Sequence, residues 1–178
     1  MNQSFEHFKI TTLDTSDSET FYNLIANNRA RLVDFFAGTV SKTNTLEDAK
    51  AYCLQIEENI KNKSYFPFII KDLNNNYIGL VDVKNIDWKV SEAELGYFID
   101  ANFEGKGIIT KAVGYVVEYL TKTYQFKKLL CRAGSENLGS IQVALNNGFN
   151  LQGIVKNDYK TTTGEIVDLN YYWKVIDY

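Results

Sequence analysis

Apolar residues at Phe21, Leu24, Ile25, Leu32 and Phe35 or Phe36 recur at helical spacing and predict an amphipathic helix over Glu19 to Phe36. A second helix begins at "TLEDAKAYCLQIEENIKNK", where Thr45 suits the N-cap and Asp48 its capping-box partner. Ahead of both, "HFKITTL" alternates as an opening strand does. Behind them, "YFPFIIKDLNNNYIGLVDVKNI" divides into two strands about an Asn-rich turn, with Pro67 near the start of the first, where a missing N–H is tolerated. Ala93 to Ile99 reads as the next strand. A third helix then runs to about Tyr124, with Ile108, Ile109, Ala112, Val113, Val116, Val117 and Leu120 on one broad face. "KKLLCRAG" is a short buried strand and "SENLGSIQVALNNGF" a short helix ended by Gly148. "FNLQGIVKNDY" and "EIVDLNYYWKVI" are two further strands on either side of the polar turn "KTTTGE".

The order is strand, two helices, three strands, helix, strand, helix, hairpin. It predicts an α+β domain built on one mixed, mostly antiparallel sheet of about seven strands flanked by about four helices. Residues 93–133 form a strand, helix, strand crossover of the kind that joins parallel neighbours. Without repeats, linkers or low-complexity tracts, the whole of residues 1–178 reads as a single domain.

Composition narrows the chemistry. At 178 residues and 45% apolar content, the chain can bury a core without staples. A net charge of -3 leaves no basic stripe for nucleic acid. No apolar run approaches the roughly 20 residues needed to span a bilayer, and no secretory leader is evident, so a soluble cytoplasmic protein is expected. Cys53, in a helical pattern, and Cys131, in a strand pattern, read as buried thiols in a reducing compartment. His7 is the one histidine, which argues against a Ser/His/Asp or Cys/His machine and against a zinc cluster. Carboxylates, hydroxyls and backbone amides are left to do any chemistry.

The most informative stretch is "FIDANFEGKGIITKAV", where a strand hands over to a helix through Gly105, Lys106 and Gly107. Such a junction gathers free N–H groups at the positive end of a helix dipole and suits an anion. It is not a P-loop, because the glycine spacing and the Lys-Ser/Thr ending are absent.

Here the chain resembles the GCN5-related N-acetyltransferases, and among them the RimJ/RimL-type ribosomal-protein acetyltransferases. The resemblance runs over nearly the whole length. "AELGYFID" with "FEGKGIITKAV" resembles the acetyl-CoA motif, "SENLGSIQVALNNGF" the Asn-x-x-Ser helix ending in Gly-Phe, and "GEIVDLNYYWKVI" the closing strand. "NNRARLVDFF" and "TLEDAKAY" are similar to the RimL-type N-terminal helices. The resemblance implies that Gly105, Lys106, Gly107, Ile108, Ile109 and Thr110 cradle the pyrophosphate of coenzyme A. It implies that Asn137 contacts the pantetheine arm and that Ser140 serves the thiol. It further implies that a splay in the strand of Tyr97, Phe98 and Ile99 frees a backbone N–H for the carbonyl oxygen. Glu94 and Asp158, the latter followed by Tyr159, are the candidate bases. Three positions depart from the family pattern. Glu104 stands where Gln or Arg is usual, and is expected to point to solvent. Ile109 replaces Gly or Ala. Ala144 replaces a tyrosine, so a tyrosine acid at that position is excluded.

An acceptor cleft is expected beside the N-terminal helices and the "KTTTGE" hairpin, with Tyr97 and Tyr159 among its walls. The expected activity is acetyl transfer from acetyl-CoA to a primary amine, foremost the N-terminal α-amine of a ribosomal protein. A polyamine or aminoglycoside acetyltransferase and a non-catalytic coenzyme A module are the alternatives. A homodimer is implied by the RimL-type resemblance alone.

Overall fold

A computed structural model describes residues 1–176. Among them the strands are β1 (Asn2–Phe5), β2 (Phe8–Thr12), β3 (Phe66–Lys71), β4 (Tyr77–Asp87), β5 (Glu92–Ile99), β6 (Lys128–Ala133), β7 (Asn150–Lys160) and β8 (Ile166–Val175). The helices are α1 (Ser18–Leu32), α2 (Ala37–Ser41), α3 (Leu46–Lys61), α4 (Ile108–Tyr124) and α5 (Leu138–Asn146). All eight strands share one sheet in the order β1-β2-β3-β4-β5-β6-β8-β7. The pairing is antiparallel throughout except β5 with β6, and α4 makes the crossover that a parallel pair requires.

The α+β architecture is as expected, with two additions. The opening strand is a hairpin, because the chain reverses at Glu6, whose φ is 49°, and Asn2 to Phe5 pairs back onto Phe8 to Thr11. The first helix stops at Leu32 and resumes as α2. The break is tertiary in origin: Phe36 swings its ring onto Phe98, with centroids 5.1 Å apart, while Asp34 accepts from Thr162 N–H at 3.1 Å and Thr162 Oγ1 at 2.7 Å. Local periodicity carries no trace of either contact.

The sheet is covered on both sides. Val81, Val83, Ala93, Leu95 and Ile99 pack with Val113, Val116 and Leu120 of α4 and with Ala144 of α5. Leu80 and Phe98 pack with Leu24, Ile25 and Leu32 of α1 and with Cys53 and Ile56 of α3. Period-two alternation along β4 and β5 therefore sends Asp82, Lys84, Glu94 and Gly96 toward the α1 side. Two carboxylates thus lie inside that layer, Asp82 at 3% exposure and Glu94 at 7%. Among the described residues no helix is long and apolar enough to cross a membrane.

Candidate active site

β5 keeps β4 as a neighbour as far as Ile99, but its pairing with β6 ends at Leu95 opposite Cys131. From Gly96 to Ile99 one edge of β5 is open. Asp100 N–H bonds Ile78 C=O at 2.8 Å, so by alternation the even positions face β4. Tyr97 and Ile99 then turn their backbone groups into the gap, whereas Phe98 directs its N–H to β4. The expected free N–H is therefore that of Tyr97 or Ile99, and not that of Phe98.

Below the gap lies a cleft of about 640 Å³, lined among others by Tyr97, Phe98, Ile99, Gly105, Gly107, Ile109, Thr110, Asn137 and Ser140. Gly105 and Gly107 have φ of 71° and 72°, a region that favours glycine, and a Cβ built on either meets nothing within 4 Å. The first helical bond of α4 is Lys111 N–H to Gly107 C=O at 3.1 Å, so the N–H groups of Ile108, Ile109 and Thr110 precede the ladder. No acidic side chain occupies the first turn of α4. This cradle suits the diphosphate of coenzyme A.

Two residues of the expected set turn their side chains away from the cradle. Lys106 donates to Asn102 C=O at 2.8 Å and rests over the Phe103 ring, and Ile108 buries its side chain in the core. Glu104 does not simply face solvent. It lines the cleft and pairs with Arg31, a residue that no local pattern singles out. Ala144, on α5, is buried in the core.

Asn137 caps α5 by accepting Ser140 N–H at 3.1 Å, and Tyr97 Oη donates to Ser140 C=O at 2.7 Å, which ties β5 to α5 across the gap. Burial pushes the Tyr97 hydroxyl far up, as it does the neighbouring Cys131 thiol, so neither ionises in use.

A second cavity, about 260 Å³, adjoins the first and shares Phe35, Phe36, Tyr97, Asn137 and Ser140 with it. Glu94, Lys84, Arg132, Gly96 and Tyr159 complete much of its lining. Its roof is the segment between α1 and α2. Phe35 stacks on Tyr159 at 5.8 Å, and Tyr159 Oη donates to Asp34 C=O. The segment after α1, the start of α2 and strands β7 and β8 thus border the cavity, whereas neither α3 nor the expected turn of Lys160 to Glu165 lines it.

Its floor is ionic. Glu94 Oε2 accepts from Asn85 Nδ2 at 2.8 Å and pairs with Arg132 at 3.1 Å, leaving Oε1 with Lys84 at 3.9 Å. Asp82 Oδ2 accepts from Tyr65 Oη at 3.2 Å, while Oδ1 is buried without a hydrogen bond and 3.9 Å from Lys84 Nζ. Asp158 lines neither cavity. Its Oδ2 accepts from Tyr171 Oη at 2.9 Å and from Arg132 at 3.3 Å. Burial pulls the Arg132 guanidinium down, but Glu94's charge and the hydrogen bonds to Tyr171 and Glu94 together outweigh it and push the group up. Charges inside apolar strands, as in "GLVDVKN" and "KLLCRA", were the signal that could have pointed to Asp82, Lys84 and Arg132.

The profile of the acetyltransferase (GNAT) domain matches residues 7–150, and the chain belongs to that family. Ribosomal-protein-serine acetyltransferase of Escherichia coli (strain K12) is 30% identical over 100 residues, which is 56% of this chain and 55% of that protein, about half its length. The solved ribosomal-protein-S5-alanine acetyltransferase of Vibrio fischeri superposes with a TM-score of 0.90 at 25% identity, covering 99% of this chain and 97% of the other. RimL, a ribosomal L7/L12 α-N-protein acetyltransferase solved with coenzyme A, shares the fold with a TM-score of 0.89 at 20% identity, over 98% and 97% of the two chains.

Proposed function

We propose that this chain transfers the acetyl group of acetyl-CoA to the N-terminal α-amine of a ribosomal protein. The observation that carries the reading is the meeting of two cavities at Tyr97, Asn137 and Ser140, beside the β5 edge that β6 leaves open. One cavity holds an anion cradle and the other a carboxylate floor.

Acetyl-CoA, when bound, supplies an activated acyl carbon and a thiolate as leaving group. The N–H groups of Ile108, Ile109 and Thr110 with the glycine loop hold its diphosphate, and Asn137 its amide arm. Tyr97 and Ile99 N–H stabilise negative charge on the carbonyl oxygen. Glu94 Oε1, the oxygen that Asn85 and Arg132 leave free, takes the amine's proton, and the Ser140 hydroxyl gives one to the thiolate while taking one back from solvent water. Asp158 positions Arg132.

The demand on Glu94 is modest for this acceptor. An α-amine with pKa near 8 is about one-tenth neutral at pH 7, against about one in two thousand for a lysine. Of the charged groups that line the acceptor cavity, Glu94 stands beside Lys84 and Arg132, and the carboxylates of Asp82 and Asp158 pair with those two cations from outside it.

The test is calorimetric titration of acetyl-CoA into the wild type and Gly107→Asp, which places a like charge and a strained φ in the cradle. Micromolar binding lost in the variant, with circular dichroism unchanged, is the expected result. Mass spectrometry then detects acetyl transfer to N-terminal peptides of ribosomal proteins in preference to spermidine. Absence of heat with the wild type overturns the coenzyme A reading, and preference for spermidine overturns the peptide one.

A further inference from the structure

Among the described residues that line the larger cleft, Arg31 is the one cation, set against Glu104 and Glu136. That is an unusual charge balance for a diphosphate site. Lys106, the cation within the loop, is committed to Asn102 and Phe103.

Arg31 comes instead from the last turn of α1, and its fork is divided. Nη1 donates to Asn28 Oδ1 at 3.2 Å and Ile99 C=O at 3.3 Å, while Nη2 pairs with Glu104 Oε1. The Nη1 side is anchored, because Asn28 is buried and donates to Leu24 C=O at 3.0 Å and Asp100 Oδ2 at 2.9 Å. The Nη2 side is not. The side chains of Arg31 and Glu104 are 44% and 52% exposed, and an ion pair so open to water is weak. A guanidinium binds a phosphate more strongly through charge-assisted, paired hydrogen bonds.

Resting on the reading that this cleft takes coenzyme A, we propose that Arg31 is the diphosphate-binding cation and Glu104 its resident anion. Nη2 exchanges one for the other when the cofactor enters. Glu104 is then a built-in competitor that lowers affinity and keeps Arg31 extended toward the cradle.

The experiment is calorimetry of acetyl-CoA with wild type, R31M, R31K and E104Q, beside ligand-detected NMR of S-acetylpantetheine, which lacks the diphosphate. R31M is expected to weaken acetyl-CoA by about tenfold or more, as for loss of a charged hydrogen bond, and R31K to recover part of it. E104Q should tighten binding by about threefold. S-acetylpantetheine should bind all four proteins alike. E104Q leaves Arg31's bonds to Asn28 and Ile99 in place, so its arm stands even if R31M loosens α1. The proposal is overturned by R31M that binds as wild type, by E104Q that binds more weakly, or by S-acetylpantetheine losing as much as acetyl-CoA. In each of these cases wild-type binding leaves the coenzyme A reading intact. If the wild type does not bind at all, both fall.

Discussion

In the proposed mechanism Glu94 is the residue on which the acceptor chemistry turns, and its setting limits what can replace it. Glu94→Gln keeps the shape and the bond to Asn85 but cannot accept a proton, so kcat/KM for a peptide α-amine should fall about a hundredfold or more. Raising the assay pH should recover part of the loss as the neutral amine fraction grows; a variant with wild-type kcat/KM at neutral pH would remove Glu94 from the role. The buried thiols make a second prediction at this scale. Burial, with a smaller push from Asp17, raises Cys53 from 9.0 to about 11, and burial raises Cys131 further. The folded chain therefore keeps protons that the unfolded chain has lost. Their contribution to stability is whole below about pH 9 and falls as pH climbs to about 11. Urea midpoints under reducing conditions should drop across that window, and less steeply in Cys53→Ala. Individual residues were legible unequally: the two glycines stand out by their place between strand and helix, whereas Glu94 and Ser140 became candidates through the family resemblance. Their partners do not stand out, since nothing local joins Arg132 to Glu94 or Arg31 to Glu104.

Elements draw stability from different sources, and two substitutions separate them. Thr45 accepts Asp48 N–H at 3.1 Å and Asp48 Oδ2 accepts Thr45 N–H at 3.0 Å, closing a reciprocal cap at the start of α3. Thr45→Ala should cost about 1 kcal/mol. Leu120, fully buried beneath the sheet, should cost about 2–5 kcal/mol as Leu120→Ala. Chemical denaturation measures both, and a reversed order would mean that α4 is not seated as described. Helices α3 and α4 were readable because cap and stripe are local signals. The hairpin of β1 and the break before α2 were not, and the gap beside β5 was anticipated through the family resemblance alone: alternation tells which face a residue takes but never where a neighbouring strand departs.

At the scale of the molecule, the acceptor cavity is roofed by a strap joining distant parts of the chain. Asp34 accepts from Thr162, and Tyr159 reaches back to the Asp34 carbonyl and the Phe35 ring. Asp34→Ala releases the roof without touching the cradle. It should raise KM for the peptide severalfold while the acetyl-CoA dissociation constant stays put. A parallel rise in both would show that the two cavities move together.

Sheet order has its own consequence for when the enzyme comes into being. β8, the most C-terminal strand described, is not at an edge but lies between β6 and β7, and β7 pairs with no other strand. A ribosome releases the chain from its N-terminus, so β7 emerges before the strand that will hold it. Until β8 is translated, Tyr159 and Leu169 are missing from the wall of the acceptor cavity. A nascent copy without β8 therefore has an incomplete cavity wall, because Leu169 is not yet made and Tyr159 has no strand to pair with.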